Sequence, residues 1–140
     1  MHDIKINGVK NKLFDTKHVS QKLNDFATDE GFKIDRLEYN FVDSEKMHSL
    51  NKDFLNHDTD TDIITFDYSK SKTIIAEVFI SSEMMIKNAS ENMQSIENES
   101  FRLLSHGLLH CMGYKDNTVE EKAIMRKKEE EFIFAVSRET

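Results

Sequence analysis

Ser105-His106-Gly107-Leu108-Leu109-His110-Cys111-Met112-Gly113-Tyr114-Lys115-Asp116 is the stretch around which this chain is organised. Residues i and i+4 of an α-helix lie on one face, about one 5.4 Å turn apart, so His106 and His110 can aim their ring nitrogens at a single point. Gly113, three residues past His110, suits the left-handed conformation that ends a helix, and the chain can then fold back to bring Asp116 to the same point. Two nitrogens and one oxygen make three protein ligands with a fourth position open. That is the arrangement of a catalytic zinc, whose bound water has a pKa of about 7. Cys111 is the only cysteine and, five residues from His106, points off that helix face, so it does not close the site as a structural zinc would require.

The residue after the first histidine is also informative. The metalloprotease pattern His-Glu-x-x-His places its general base there, and this chain has Gly107 instead, which argues against a protease of that type. Glycine inside a helix costs about 1 kcal/mol relative to alanine, so Gly107 implies that something approaches the helix backbone closely. The plainer alternative is a pair of partly buried histidines in an ordinary helix. Gly113 and Asp116, at the places a folded-back ligand needs, weigh against it.

In these residues the chain resembles the YbeY-type rRNA maturation factors, single-domain zinc-dependent endoribonucleases of bacteria with the signature His-Gly-x-Leu-His-x-x-Gly-Tyr-Asp-His. His106, Gly107, Leu109, His110, Gly113 and Tyr114 match in register, Lys115 replaces the aspartate, and Asp116 stands where the family has its third histidine. The change is chemically mild, because a carboxylate oxygen ligates zinc at about the same distance as an imidazole nitrogen. Leu50-Asn51 followed by Asp58, Thr61, Asp62 and Phe66 resembles a second block of the family. There Leu55 takes the place of an arginine that the family associates with RNA cleavage, the most serious departure in the chain.

Composition sets the bounds. One hundred and forty residues suit a single domain, 1–140, and no linker is evident. There is no proline, no apolar run near the roughly 20 residues of a membrane span, and no signal-peptide pattern at Met1-His2-Asp3-Ile4. One cysteine allows no intrachain disulfide, which points to a reducing cytoplasm. A net charge of −7, from 26 acidic and 19 basic residues, argues against a generic nucleic-acid binder, although an ion and a few lysines in a cleft can attract phosphate to an acidic molecule.

The pattern along the chain gives the order β-α-β-α-β-β-α-α-α. Ile4-Lys5-Ile6 reads as a short strand. A helix runs from a cap at Asp15 or Thr16, through Val19, Leu23, Phe26 and Ala27, to Gly31. Leu37, Tyr39 and Phe41 alternate as a second strand, and Asp43-Ser44 caps a helix carrying Met47, Leu50, Phe54 and Leu55. Residues 56–62 are a polar loop whose Asp58-x-Asp60-x-Asp62 fails as a calcium loop, because Ile63 and Ser69 occupy the glycine and glutamate positions. Ile63–Phe66 and Thr73–Ile80 are strands, the latter apolar on both faces as a central strand would be, apart from Glu77. Glu77 aligns with an aspartate of the family's Gly-Asp-Ile block, and is read either as an edge-strand carboxylate or as a group near the site. Ser81-Ser82-Glu83 caps a helix, Ser95 caps the motif helix, and Thr118-x-x-Glu121 is a capping box opening a last helix. The run Arg126–Glu131 in that last helix reads as a solvated face.

The resulting expectation is an α+β domain: a small mixed β-sheet of about four strands packed with about five helices around a central metal-binding helix. His106, His110 and Asp116 are the expected ligands of one Zn2+ per chain, with the two histidines also catalytic. Glu77 and Asp62 are candidate orienters of an imidazole N–H, and Arg102 and Lys115 are candidate phosphate contacts or salt-bridge partners. The resemblance implies a single-strand-specific endoribonuclease acting in rRNA 3′-end maturation and ribosome quality control, with single-stranded rRNA and the ribosome as partners. Two alternatives stand beside it: a zinc-stabilised module that binds the ribosome, RNA or a protein without cutting, and a metallohydrolase of small substrates.

Overall fold

The computed structural model describes residues 3–10, 12–55 and 61–137, the side chains of 54 and 55 excepted. The elements follow the expected order: β1 (Ile4–Asn7), α1 (Thr16–Asp29), β2 (Lys33–Val42), α2 (Ser44–Leu55), β3 (Ile63–Asp67), β4 (Thr73–Ser81), α3 (Ser82–Glu91), α4 (Ile96–Cys111) and α5 (Val119–Ser137). They form an α+β fold with one four-stranded mixed sheet, ordered β1-β2-β4-β3. β1, β2 and β4 run parallel, joined by crossovers through the helices, and β3 lies antiparallel to β4.

The caps sit where the side chains dictate. Asp15 accepts from the backbone of Lys17 and His18 to start α1, Ser81 from Met84 to start α3, and Ser95 from Asn98 to start α4. The capping box is reciprocal: Glu121 N donates to Thr118 Oγ1 at 3.0 Å, and Thr118 N donates to Glu121 Oε1 at 2.9 Å. β2 begins four residues before the alternation at Leu37 suggests. A register shift between Ile34 and Arg36 explains this, because a bulge interrupts the period-2 pattern by which a strand is recognised.

α4 is the central layer. It packs on β3 and β4 on one side and on α5 on the other, with α1 and α3 at its flanks. Phe101, Leu103, Leu104, Leu108 and Leu109 are all buried, each contributing about 1.5–3 kcal/mol relative to an exposed position. Tyr39 of β2 donates its buried hydroxyl to the Leu104 carbonyl at 2.7 Å, tying sheet to helix. Burial of that phenol holds its pKa well above the usual value.

Gly107 is where the helix closes on the sheet. A Cβ at that position would lie 3.3 Å and 3.4 Å from the two methyls of Val78 and 3.5 Å from Ile63 Cδ1. The approach expected from sequence is thus made by the central strand, and a larger side chain would push α4 and its histidines outward. The same contact fixes the faces of β4. Ile74, Ala76, Val78 and Ile80 are buried toward α4, while Phe79 turns to the opposite face and packs with Phe66 and with Met47 of α2. Among the described residues no helix is long and apolar enough to cross a membrane.

Candidate metal centre

The end of α4 builds the site. Met112 caps the helix, Gly113 N donates to His110 O, and Tyr114 N donates to Leu109 O, both at 3.0 Å: the paired 5→2 and 6→1 bonds of a Schellman turn. Gly113 has φ +97°, a left-handed conformation that an L side chain rarely adopts. The turn reverses the chain and carries Asp116 back alongside α4.

His106, His110 and Asp116 come together, each offering one ligand atom, all within 4.8 Å of one another. The two Nε2 atoms are 3.1 Å apart, with the rings nearly perpendicular at 84°. Asp116 Oδ2 is 3.8 Å from His106 Nε2. Two nitrogens bound tetrahedrally to zinc at 2.0–2.1 Å stand about 3.3 Å apart, so the imidazoles already hold nearly the required spacing. His106 is mostly covered and His110 is the more open. Burial first, and then the neighbouring His106, lower the His110 pKa and favour the neutral, ligating ring; Asp116 and a backbone hydrogen bond at Tyr114 oppose this in part.

The partner of His106 is a residue the sequence reading placed elsewhere. Glu129 of α5 lies 2.6 Å from His106 Nδ1 and is only 3% exposed. A carboxylate accepts, so Nδ1 carries the proton and Nε2 presents its lone pair toward His110 and Asp116. This carboxylate–histidine pairing is how metal-binding imidazoles are oriented, and it shows that the donor set fits a divalent ion. The run Arg126–Glu131 is therefore not a uniformly solvated face. The buried residues of α5 are Met125, Glu129, Phe132 and Val136, spaced by four, three and four, so Glu129 occupies a core position of the helix. That register was the available signal.

Arg102, one turn before His106, is engaged by carboxylates rather than offered to a phosphate. It makes a bidentate pair with Glu99, itself 2% exposed, through Nε at 3.0 Å and Nη2 at 2.5 Å. Its Nη1 is 3.7 Å from Glu129 Oε1 and its Nη2 3.9 Å from Asp62 Oδ2. Burial alone would lower the pKa of this guanidinium, but the hydrogen bond and charge of Glu99, then Glu129 and Asp62, raise it. Asp62 accepts from Asn88 Nδ2 at 3.0 Å and reaches Arg102, so it braces the arginine and orients no imidazole.

Glu77 is not at the site. It alternates with Val78, faces away from α4, and lines a small concavity with Arg36, Glu38 and Tyr68. Nor is it an edge-strand carboxylate, since β4 lies between β2 and β3. Lys115 is exposed in the turn, where its charge acts on Glu121, and Lys122 stands 3.8 Å from Asp116. Cys111 is buried on the side of Asp67 and Ser69, and burial, followed by the Asp67 charge, pushes its thiol up to about 12, so it supplies no thiolate. The Leu55 side chain, and Asp58 and Asp60, lie outside the described residues.

Comparison with known proteins places the whole described chain in one family. The family model described as Endoribonuclease YbeY matches residues 3–137. The chain is 45% identical over 109 residues to the Endoribonuclease YbeY of Cytophaga hutchinsonii, covering 77% of this chain and 76% of that protein. It is 32% identical over 131 residues to that of Amoebophilus asiaticus, covering 93% and 89%. The solution structure of TM1509 from Thermotoga maritima shares the fold, with TM-score 0.71 at 23% identity over 97% of this chain and 89% of that one.

Proposed function

Since this chain belongs to the endoribonuclease YbeY family, we propose that it is a zinc-dependent, single-strand-specific endoribonuclease acting in the cytoplasm on the 3′ end of rRNA and in ribosome quality control. The observation that carries the metal-dependent part is the convergence of His106, His110 and Asp116, with the Nδ1 side of His106 held by the buried Glu129.

His106, His110 and Asp116 would hold the ion, which would supply Lewis-acid chemistry toward a phosphoryl oxygen or a water molecule. The protein's own residues do the rest. His106 and His110 present Nε2 atoms from a helix that cannot shift without disturbing Val78 and the buried leucines. Glu129 fixes the His106 tautomer, and Arg102, clamped by Glu99, keeps Glu129 from becoming an isolated buried charge. Asp62, Glu99, Glu129 and Asp116 outnumber Arg102 and Lys122 here, a negative surplus that a divalent cation would offset. Lys115 and Lys122, on either side of Asp116 in sequence, place two positive charges at the rim of the centre on a chain of net charge −7.

The test is cleavage of single-stranded and duplex RNA oligonucleotides, and of a 3′-extended rRNA precursor, by the purified protein. We expect the single strand and the precursor extension to be cut and the duplex to be spared. Protein that binds these RNAs and cuts none would replace this reading with the non-cutting binding module.

A further inference from the structure

Asp116 must be brought to two histidines whose positions the core already fixes, yet its own stretch of chain is weakly held. Among the described residues neither Lys115 nor Asp116 makes a backbone–backbone hydrogen bond. The segment is instead fastened on both sides. After it, the Asn117 and Thr118 amides donate to Glu121 Oε1 at 3.0 Å and 2.9 Å. Before it, the Tyr114 amide is held by the Schellman bond to Leu109 O, its hydroxyl donates to Glu30 Oε1 at 2.7 Å, and Lys128 Nζ of α5 donates to Glu30 Oε2 at 2.9 Å.

We propose that Glu30, the C-cap residue of α1, is a positioning residue for the metal centre: bridging Tyr114 and Lys128, it fixes the turn that presents Asp116 to His106 and His110. The inference rests on the three-ligand reading of the site. The three partners come from α1, the turn and α5, 84 and 98 residues apart in sequence from Glu30, so the bridge sets the turn against two helices at once. Gly31, with φ +84°, ends α1 directly after Glu30. Tyr114 also packs its ring against the core, which limits the phenol to a small range of positions. A half-buried ion pair at the molecular surface contributes only modestly to stability. Its value here is geometric, because a ligand two residues along the chain depends on where Tyr114 is held.

The experiment is zinc affinity, measured by competition with a chromophoric chelator, on wild type, Tyr114→Phe, Glu30→Ala, Glu30→Gln and Tyr114→Phe/Glu30→Ala, each shown by circular dichroism to be folded. Tyr114→Phe and Glu30→Ala should each weaken affinity about tenfold, the scale seen when partners outside the ligand shell are lost. The double variant should be no weaker than the worse single one, since both remove the same bond. Glu30→Gln keeps an acceptor for the Tyr114 hydroxyl and should stay within about threefold of wild type. Folded Tyr114→Phe and Glu30→Ala proteins that bind zinc within about twofold of wild type would overturn the proposal, as would a Glu30→Gln protein as weak as Glu30→Ala. If Tyr114→Phe fails to fold, Glu30→Ala and Glu30→Gln, altered at a helix end, decide alone. A wild type that takes up no zinc would overturn the three-ligand site itself, an outcome distinct from unchanged affinity in the variants.

Discussion

Glu129→Ala is expected to weaken zinc binding by about ten- to a hundredfold while leaving all three ligands in place. The substitution removes the acceptor 2.6 Å from His106 Nδ1, so the ring loses the bond that sets its tautomer and its angle. It also leaves a buried N–H unsatisfied, at a cost of about 1–3 kcal/mol in the apo-protein. Arg102 keeps its bidentate bond to Glu99 and is not itself orphaned. Glu129→Gln separates the two effects: its amide oxygen can still accept from Nδ1, so orientation should survive while the negative charge is lost. Zinc titration of the folded variants should give wild type tightest, Gln intermediate and Ala weakest. Equal affinities for all three would mean that α5 contributes nothing to the centre.

Asp116→Ala removes one of three protein ligands and should weaken zinc binding at least about tenfold, with loss of RNA cleavage at limiting metal. Asp116→His should retain the ion, because imidazole ligates at nearly the same distance. It raises the net charge of the site by one unit, and the cleavage rate should change with it. Asn117→Ala is the control. Its backbone amide, not its side chain, donates to Glu121, so metal binding should be unchanged. Asp116→Ala protein that binds zinc as tightly as wild type would show that the carboxylate is not a ligand, however near to His106 it lies.

The parts of this protein legible in the sequence are those set by local spacing. The i, i+4 histidines, the left-handed Gly113, the serine caps and the Thr118–Glu121 box each follow from a few neighbouring residues, and the fold order followed from the periods between them. What the sequence left open depends on which elements pack together. Glu77 is separated from the site by the two-faced geometry of a strand, and which face a strand apolar on both sides turns to a given helix is settled only by tertiary packing. Glu129 was hidden by its neighbours, since five charged residues around it masked its place in the spacing of Met125, Phe132 and Val136. Arg102 could be read either as a phosphate contact or as an ion-pair partner, and the burial of Glu99 beside it decides for the second.

The measurement that tests the account most directly is RNA cleavage followed while zinc is titrated into chelator-stripped protein. Activity absent from the stripped protein should rise with added zinc and level off at about one ion per chain, and His106→Ala protein should show no rise at any ratio. Cleavage undiminished by stripping, or activity restored equally well in His106→Ala, would contradict a metal-dependent nuclease centred on His106, His110 and Asp116.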